Sequence, residues 1–583
     1  MSPPSADKLR PKTVIPIAIG TMMAMSRTMI SFTTKYFYTP NNTSLTHYRY
    51  KIKFLTLACM SLKKNIPALI ILLLLAISLK AQRITDIPQK NTNTFSNMLG
   101  VNAFEWDFLQ DPKNPNDPTH IYEPKMKIME AFGGFRHYLD WQKTEHAKGL
   151  YTFNPTNNGG WNLDAIYQRC KQDNIEVLVC LKGCPDWLLA TYPMKLRDGE
   201  NVPMPFGSNK LDPASYADQA RNAFQFAARY GSNKNVNPAL VSVDSSPRWT
   251  ADPVNVVKIG MGLIKYIECD NERDKWWKDD KAQQSAEEYA ANLSAFYDGD
   301  KGRLGKNAGV KNADPNLQVV MAGLANPDPK YVQDMITWCK IHRGYKADGS
   351  VNLCFDVINF HFYSNNHRPG STDMGTVGVA PEQSEAGQLA DSFVRIGKAY
   401  HLPVWVTEAG YDINPGSPQR AIAIGNKSAL ITQADWIIRT SFLYARHGIS
   451  KLFFYELYDD NGDNPTQYES SGLATKTQQR RPAADYIYQA KHLLGDMTYK
   501  GTIDSDPLID VYRKGNRTVY ALMLPSQSGE TSSCILNLGR ATNAVVYRFN
   551  PGSDDMLKTP VSASNHNLKV KVSETPVFVE KMD

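Results

Sequence analysis

Leu263-Ile264-Lys265-Tyr266-Ile267-Glu268-Cys269-Asp270-Asn271-Glu272 is the stretch that decides the fold of this 583-residue chain. Its run of apolar and aromatic residues reads as a strand, and Asn271-Glu272 closes it with polar groups. A carboxylate at a strand end faces an open site instead of a packed core. A second stretch, Pro403-Val404-Trp405-Val406-Thr407-Glu408, ends the same way. The two glutamates lie 136 residues apart (408 − 272), so they meet only where a fold gathers separate strand ends. A barrel of parallel strands does this, because all its strands finish on one rim.

Working outward, eight strand-like runs alternate with amphipathic stretches. They are Met98–Asn102, Gly134–Tyr138, Glu176–Leu181, Ile264–Glu268, Leu317–Met321, Val357–Phe362, Val404–Glu408 and Lys451–Tyr455. Ala214–Tyr230 places Ala220, Ala223, Phe224 and Ala227 on one helical face, and Ser285 and Glu288 have the spacing of a capping box. Further helices are expected over 331–341, 383–400, 428–447 and 481–494. Such alternation predicts a (β/α)8 TIM barrel over residues 95–495. An open doubly wound sheet is the competing topology. No Gly-x-Gly-x-x-Gly follows the first run, which weakens its nucleotide-binding version.

After Leu494 the helical period stops. Short alternating runs (508–512, 518–522, 533–538, 544–549 and 568–572) are broken by Gly, Asn, Ser and Pro. This predicts a C-terminal β-sandwich accessory domain over residues 498–583.

The amino-terminal region reads differently. Lys63-Lys64, the apolar run Ile66–Leu79 and Lys80-Ala81 form a secretory signal pattern, too short for a comfortable membrane span. Met60 stands just before it, so the signal peptide is expected over residues 60–81 and residues 1–59 as a non-native or disordered leader. The product is then secreted, periplasmic or at the cell surface, without a membrane span in its mature form. The first 81 residues hold eleven Lys/Arg and one acid, a net of +10. Subtracting that from the total of +7 leaves −3 for the remainder. The basic balance belongs to the leader, and nothing in the rest calls for nucleic acid. Seven of the eight cysteines follow residue 81, and their spacing fits no disulfide framework or zinc pattern.

Two carboxyl groups at one rim suit cleavage of a glycosidic bond, where one protonates the leaving oxygen and the other attacks or activates water. Here the sequence resembles the clan of (β/α)8 retaining glycoside hydrolases that includes families 5, 10 and 39. Glu268-Cys269-Asp270-Asn271-Glu272 looks like the family 39 order of Glu, two residues, then Asn-Glu. The resemblance implies that Glu272 is the acid/base and Glu408 the nucleophile. It further implies that Asn271 binds the sugar 2-hydroxyl. Arg136, at the end of the second strand, is expected to keep Glu408 ionised. His361 and Tyr363, after the sixth strand, would line the catalytic floor. Trp187 after the third strand and Tyr455 after the eighth complete the expected substrate-binding set. Asp270, Arg273 and Tyr455 depart from the clan's usual aromatic, Pro and Trp, which leaves sugar and linkage open. Glu456 is a competing site carboxylate.

The proposed chemistry requires neither cofactor nor metal. The acidic loop 459–464 lacks the Asp-x-Asp-x-Asp-Gly spacing of a helix-loop calcium site. The expected partner is a carbohydrate substrate. The rival from another class is a non-catalytic glycan-binding protein on the same barrel. A serine hydrolase is disfavoured because no Gly-x-Ser-x-Gly elbow occurs.

Overall fold

The computed structural model describes residues 93–582, apart from 112, 115, 116, 118 and 368–374. The expected leader and signal segment, residues 1–81, lie outside the described residues. Eight strands carry the barrel: β1 (Leu99–Ala103), β2 (Gly134–Asp140), β3 (Glu176–Lys182), β4 (Tyr266–Cys269), β5 (Gln318–Met321), β6 (Ile358–His361), β7 (Val404–Ala409) and β8 (Lys451–Phe454). Their order is β5-β4-β3-β2-β1-β8-β7-β6, and every neighbouring pair is parallel. Parallel bridges from Val320 to Val357 and from Leu324 to Phe360 join the two ends of that order, so the ring closes.

A helix follows each strand in turn: α1 (Glu123–Met129), α2 (Leu163–Gln172), α3 (Ala217–Tyr230), α4 (Ala286–Asp298), α5 (Pro329–His342), α6 (Ala386–Tyr400), α7 (Ala429–Arg446) and α8 (Pro482–Leu494). The buried face of α3 includes Ala220, Ala223, Phe224 and Ala227. Ser285 and Glu288 form the reciprocal capping box that starts α4. One strand begins later than its sequence suggests. The amides of Leu263 and Ile264 bond to the Tyr230 carbonyl at the end of α3, so pairing with β3 starts only at Tyr266.

The barrel interior is graded. Near the strand starts it is apolar, with Leu178, Val320, Val357, Trp405 and Phe453 in one buried cluster. Gly100 and Gly134 make room there: a Cβ on Gly100 would sit 2.3 Å from the Phe453 ring. One inward step toward the strand ends, the interior turns polar, with Asn102, Arg136, Glu268, Asn359 and Thr407 all sealed from solvent. That polar layer supports the rim.

Eight further strands follow: β9 (Thr498–Ser505), β10 (Leu508–Lys514), β11 (Arg517–Met523), β12 (Thr531–Asn537), β13 (Asn543–Arg548), β14 (Leu557–Ser562), β15 (Asn567–Ser573) and β16 (Val577–Met582). Six form an antiparallel sheet in the order β9-β10-β11-β16-β13-β14, and β12 pairs with β15 opposite. Leu522, Val579, Leu536 and Val572 fill the space between them. This sandwich packs on α7 and α8 through Phe442–Phe578 and the parallel Tyr486–Phe549 stack at 4.0 Å. Among the described residues, no helix is long and apolar enough to cross a membrane.

Candidate active site

Glu408 reaches the barrel mouth through an irregularity in β7. Phe360 pairs with Val406 but His361 pairs with Glu408, so β7 holds one extra residue at Thr407. Strict strand alternation would send Thr407 and Glu408 to opposite faces. The bulge lets both face inward. Thr407 Oγ1 then meets His361 Nε2 at 3.0 Å and Asn359 Nδ2 at 2.8 Å, while Glu408 meets Arg136.

Arg136 is the hub. Its Nη1 donates to Glu408 Oε1 at 2.8 Å and to Asn102 Oδ1 at 3.0 Å. Its Nε and Nη2 donate to the two oxygens of Glu268 at 2.6 and 3.0 Å. Nη2 also donates to Asn271 Oδ1 at 2.9 Å. Glu268 further accepts from Asn359 Nδ2 and the Gly323 N–H. With five of its contacts made inside the barrel, the guanidinium has little freedom to turn.

Glu408 accepts on both oxygens. Arg136 and the Tyr138 hydroxyl donate to Oε1, and the Tyr363 hydroxyl donates to Oε2 at 2.9 Å. Burial pushes this carboxyl up, but the charges of His361 and Arg136 and the bonds from Tyr138 and Arg136 outweigh it. Its pKa is held below the usual 4.5. For His361, burial opposes the charged form, yet the charge of Glu408 and the bond to Glu272 win and raise its pKa above 6.5.

Glu272 sits three residues beyond β4, half-buried, and its Oε1 lies 2.8 Å from His361 Nδ1. The same nitrogen is 3.6 Å from Glu408 Oε1. One carboxylate oxygen from each glutamate and one His361 nitrogen all lie within 4.8 Å of one another. Such a trio can hold a cation, but both Glu408 oxygens are already met by donors, one of them a guanidinium. Proton and group transfer suit this surrounding better.

The β4 loop adopts unusual backbone. Asp270 and Glu272 have φ of 67° and 51°, the left-handed region that residues with a Cβ seldom occupy. Its supports are the residues that depart from the clan's pattern. Asp270 Oδ1 accepts from the Asn271 N–H at 2.8 Å and its Oδ2 pairs with Arg273 at 3.2 Å. Arg273, sealed from solvent, donates onward to the Ala282 carbonyl and Gln284. Asp274 accepts from the Ala325 and Asn326 amides of the neighbouring loop, and burial there raises its carboxyl to about 6.

The structure thus gathers Glu272, Glu408, Asn271, Arg136, His361 and Tyr363. Tyr455 stands over them, edge-on to Tyr138 at 6.3 Å and to Tyr468 at 5.9 Å. Trp187 sits apart: it packs edge-on against Trp141 at 5.6 Å, and its indole N–H donates to the Glu145 carbonyl. None of those contacts involves the carboxylate pair. Glu456 turns away as well, toward Asp107 and Asp460.

Sequence reasoning passed over Tyr138 and the role of Glu268. Both were signalled by period-two spacing: Tyr138 is two residues after Arg136 on β2, and Glu268 is two after inward-facing Tyr266 on β4. Asn359 and Thr407 carry the same spacing, two residues after inward-facing Val357 and Trp405, whereas Tyr468 lies on a loop and carries no such signal.

Solved structures share this architecture at low sequence identity. A family 39 glycoside hydrolase from the gut symbiont Bacteroides cellulosilyticus WH2 is 16% identical with a TM-score of 0.55, covering 84% of this chain and 81% of that one. A glucosidase from Croceicoccus marinus is 11% identical with a TM-score of 0.50, covering 85% of this chain and 97% of that one. The catalytic domain of GH30 xylanase C from Talaromyces cellulolyticus is 8% identical with a TM-score of 0.50, covering 85% and 98%. These likenesses establish the (β/α)8 barrel with an attached β-domain. No family model matches the chain, and no curated protein does.

Proposed function

We propose that this chain is a retaining glycoside hydrolase in which Glu408 is the nucleophile and Glu272 the acid/base. One observation carries the reading: oxygens of the two glutamates lie within 4.8 Å of each other at the barrel mouth. Retaining enzymes hold their carboxyl groups about 5–5.5 Å apart, whereas inverting ones leave about 6.5–9.5 Å for a water. A nearest-oxygen distance below 4.8 Å fits the shorter of these carboxyl-group separations and supports direct attack.

In the first step Glu408 attacks the anomeric carbon while Glu272 gives its proton to the departing oxygen, breaking the glycosidic C–O bond. In the second, Glu272 takes a proton from water as the water oxygen displaces Glu408 from that carbon. Arg136, Tyr138 and Tyr363 keep Glu408 ionised and aimed. Asn271 Oδ1 accepts from Arg136 Nη2, which orients its amide so that Nδ2 can donate to the sugar 2-hydroxyl. Tyr455 and Tyr468 offer ring faces to the sugar.

The expected signal at residues 60–81 supports action outside the cytoplasm. Mass determination of the mature amino terminus tests that part. The catalytic reading is tested by following the anomeric form of the first product by NMR. Retained configuration is expected; an inverted product removes Glu408 as nucleophile. Absence of turnover across aryl glycosides and polysaccharides leaves the glycan-binding alternative in its place.

A further inference from the structure

Beside the catalytic pair, the segments after β1 and β8 enclose a cavity of about 300 Å³ that the chemistry above does not use. Phe104, Trp106, Asp107, Lys125, Glu456 and Asp460 are among its lining residues. Its volume is at the small end for ligand pockets, enough for one sugar ring but not for a chain.

Three observations give it a ligand's chemistry. Trp106 lies parallel to Phe104 at 4.4 Å, and Phe104 stacks on Tyr138 at 5.8 Å. Since the Tyr138 hydroxyl donates to Glu408, an aromatic path runs from the nucleophile to the cavity. Secondly, Glu456 is only 2% exposed, yet its Oε1 has no hydrogen-bond partner. A buried acceptor without a donor carries a desolvation cost that a bound group can relieve. Thirdly, the acids here face each other. Asp107 is raised to about 7 by burial, with Asp460 adding to it against Lys125. Glu456 is raised by burial and then by Asp460, Asp107 and Asp459. Crowded carboxyls of this kind either keep a proton or pair with a donor, and both forms can share hydrogen bonds with a hydroxyl-bearing ligand.

We propose that this cavity is a saccharide subsite, in which Trp106 stacks on the sugar unit next to the one attacked by Glu408 and Glu456 accepts from its hydroxyl or ammonium group. The proposal rests on the glycosidase reading for its place beside the scissile bond, while binding itself can be measured without turnover.

The test uses the full chain with Trp106→Ala, Glu456→Ala and Glu456→Gln. Rates are compared on 4-nitrophenyl glucoside against cellobioside and on xyloside against xylobioside. The ratio of kcat/KM for the disaccharide over the monosaccharide substrate should fall about tenfold or more in Trp106→Ala and Glu456→Ala. Equal losses on both members of a pair overturn the subsite. Should Glu456→Ala fail to fold, Trp106→Ala and Glu456→Gln carry the comparison. A hydroxyl partner leaves Glu456→Gln close to wild type; an ammonium partner makes it as weak as Glu456→Ala, with a preference for the glucosamine disaccharide.

Calorimetry with cellobiose, xylobiose and the glucosamine disaccharide separates the two readings. Binding that Trp106→Ala abolishes supports the cavity even where no glycoside turns over, in which case only the glycosidase reading falls. Wild-type protein that binds none of the three below about 10 mM overturns the subsite.

Discussion

Arg136 and Glu408 meet at 2.8 Å inside the barrel, with the guanidinium fully shielded and the carboxylate nearly so. The same guanidinium is shared with Glu268, which is also fully shielded. One guanidinium is therefore shared by two shielded carboxylates, and His361 supplies a second positive group beside Glu408. Removing a partner from such an arrangement leaves uncompensated buried charge, which costs about 3–5 kcal/mol. Arg136→Met should lower unfolding free energy by about that amount in denaturant titration. Its activity should fall by at least about a hundredfold, because Glu408 loses both its charge partner and its orientation. A variant of wild-type stability would show that Arg136 is not the hub described.

The roles of the two glutamates separate by leaving group. Glu272→Gln should lower kcat/KM by about 10²–10⁴-fold on sugar or alkyl leaving groups that need a proton. On dinitrophenyl glycosides, whose leaving group departs without one, the loss in the first step should be far smaller. Glu408→Gln should abolish turnover on both. Steady-state and burst kinetics on the two substrate types check this, and equal losses from Glu272→Gln on both would reverse the acid/base assignment.

The pH dependence follows from the sign of two shifts. Glu408 has a folded pKa below 4.5, so it stays ionised until the pH falls below that value. Its contribution to stability is present above the unfolded carboxyl pKa and is lost as pH falls through the lowered folded one. The acid limb of kcat/KM should therefore lie below pH 4.5. His361 is shifted the other way, above 6.5; its contribution is present below that value and is lost as pH rises through the raised one. His361 is the largest influence lowering Glu408, so His361→Asn should move the acid limb upward. An unmoved limb would mean that Arg136 and the tyrosines suffice.

Much of the fold was legible because a barrel repeats one simple signal eight times. Each βα unit shows a short apolar run followed by a helical period, and small boundary errors such as that at Ile264 do not break the count. The site was legible where chemistry sits at strand ends in fixed order, as with Glu272, Glu408 and Arg136. It was less legible where a contact depends on distance across the barrel. Nothing in the string places Asn102 against Arg136, or reveals that the extra residue at Thr407 turns two successive side chains inward. Three sandwich strands were not among the expected runs: β9 and β14 are mostly exposed and show little alternation of burial, and β16 opens on the continuous apolar run Val577-Phe578-Val579, which does not alternate. Trp187 marks a different case: an aromatic after a barrel strand reads as a sugar platform, and the structure packs this one with Trp141, Cys184 and Leu188.

That placement makes a direct prediction. A sugar platform loses affinity when truncated, while a packing residue loses stability. Trp187→Ala should lower unfolding free energy by about 2–4 kcal/mol, somewhat less than a fully buried Trp because one edge reaches solvent. KM for aryl glycosides should change less than threefold. Thermal and denaturant unfolding beside steady-state kinetics decide the matter, and a large rise in KM at unchanged stability would return Trp187 to the substrate.

The sandwich is tied to the barrel by charge as well as by rings. Arg446 at the end of α7 donates to Asp510 of β10 at 2.7 Å, and Asp510 is sealed from solvent. Arg446 also lies 3.5 Å from Glu382, which Arg439 holds at 2.6 Å, and Arg439 donates across to the Ser526 carbonyl. Burial raises the Asp510 carboxyl against the pull of Arg446 and of the Thr502 hydroxyl, which donates to its other oxygen at 2.6 Å, so its charge depends on those two partners. Asp510→Ala leaves Arg446 with the more distant Glu382, which Arg439 already holds, and should cost about 3 kcal/mol. Asp510→Asn keeps the shape and one acceptor and should cost less. Because the two cores share Phe442, Tyr512 and Phe578, wild type should unfold in a single calorimetric transition. Asp510→Ala should either lower that transition or split it in two, the lower step being the sandwich. A variant that unfolds as wild type does would show that the rings alone fasten the domains.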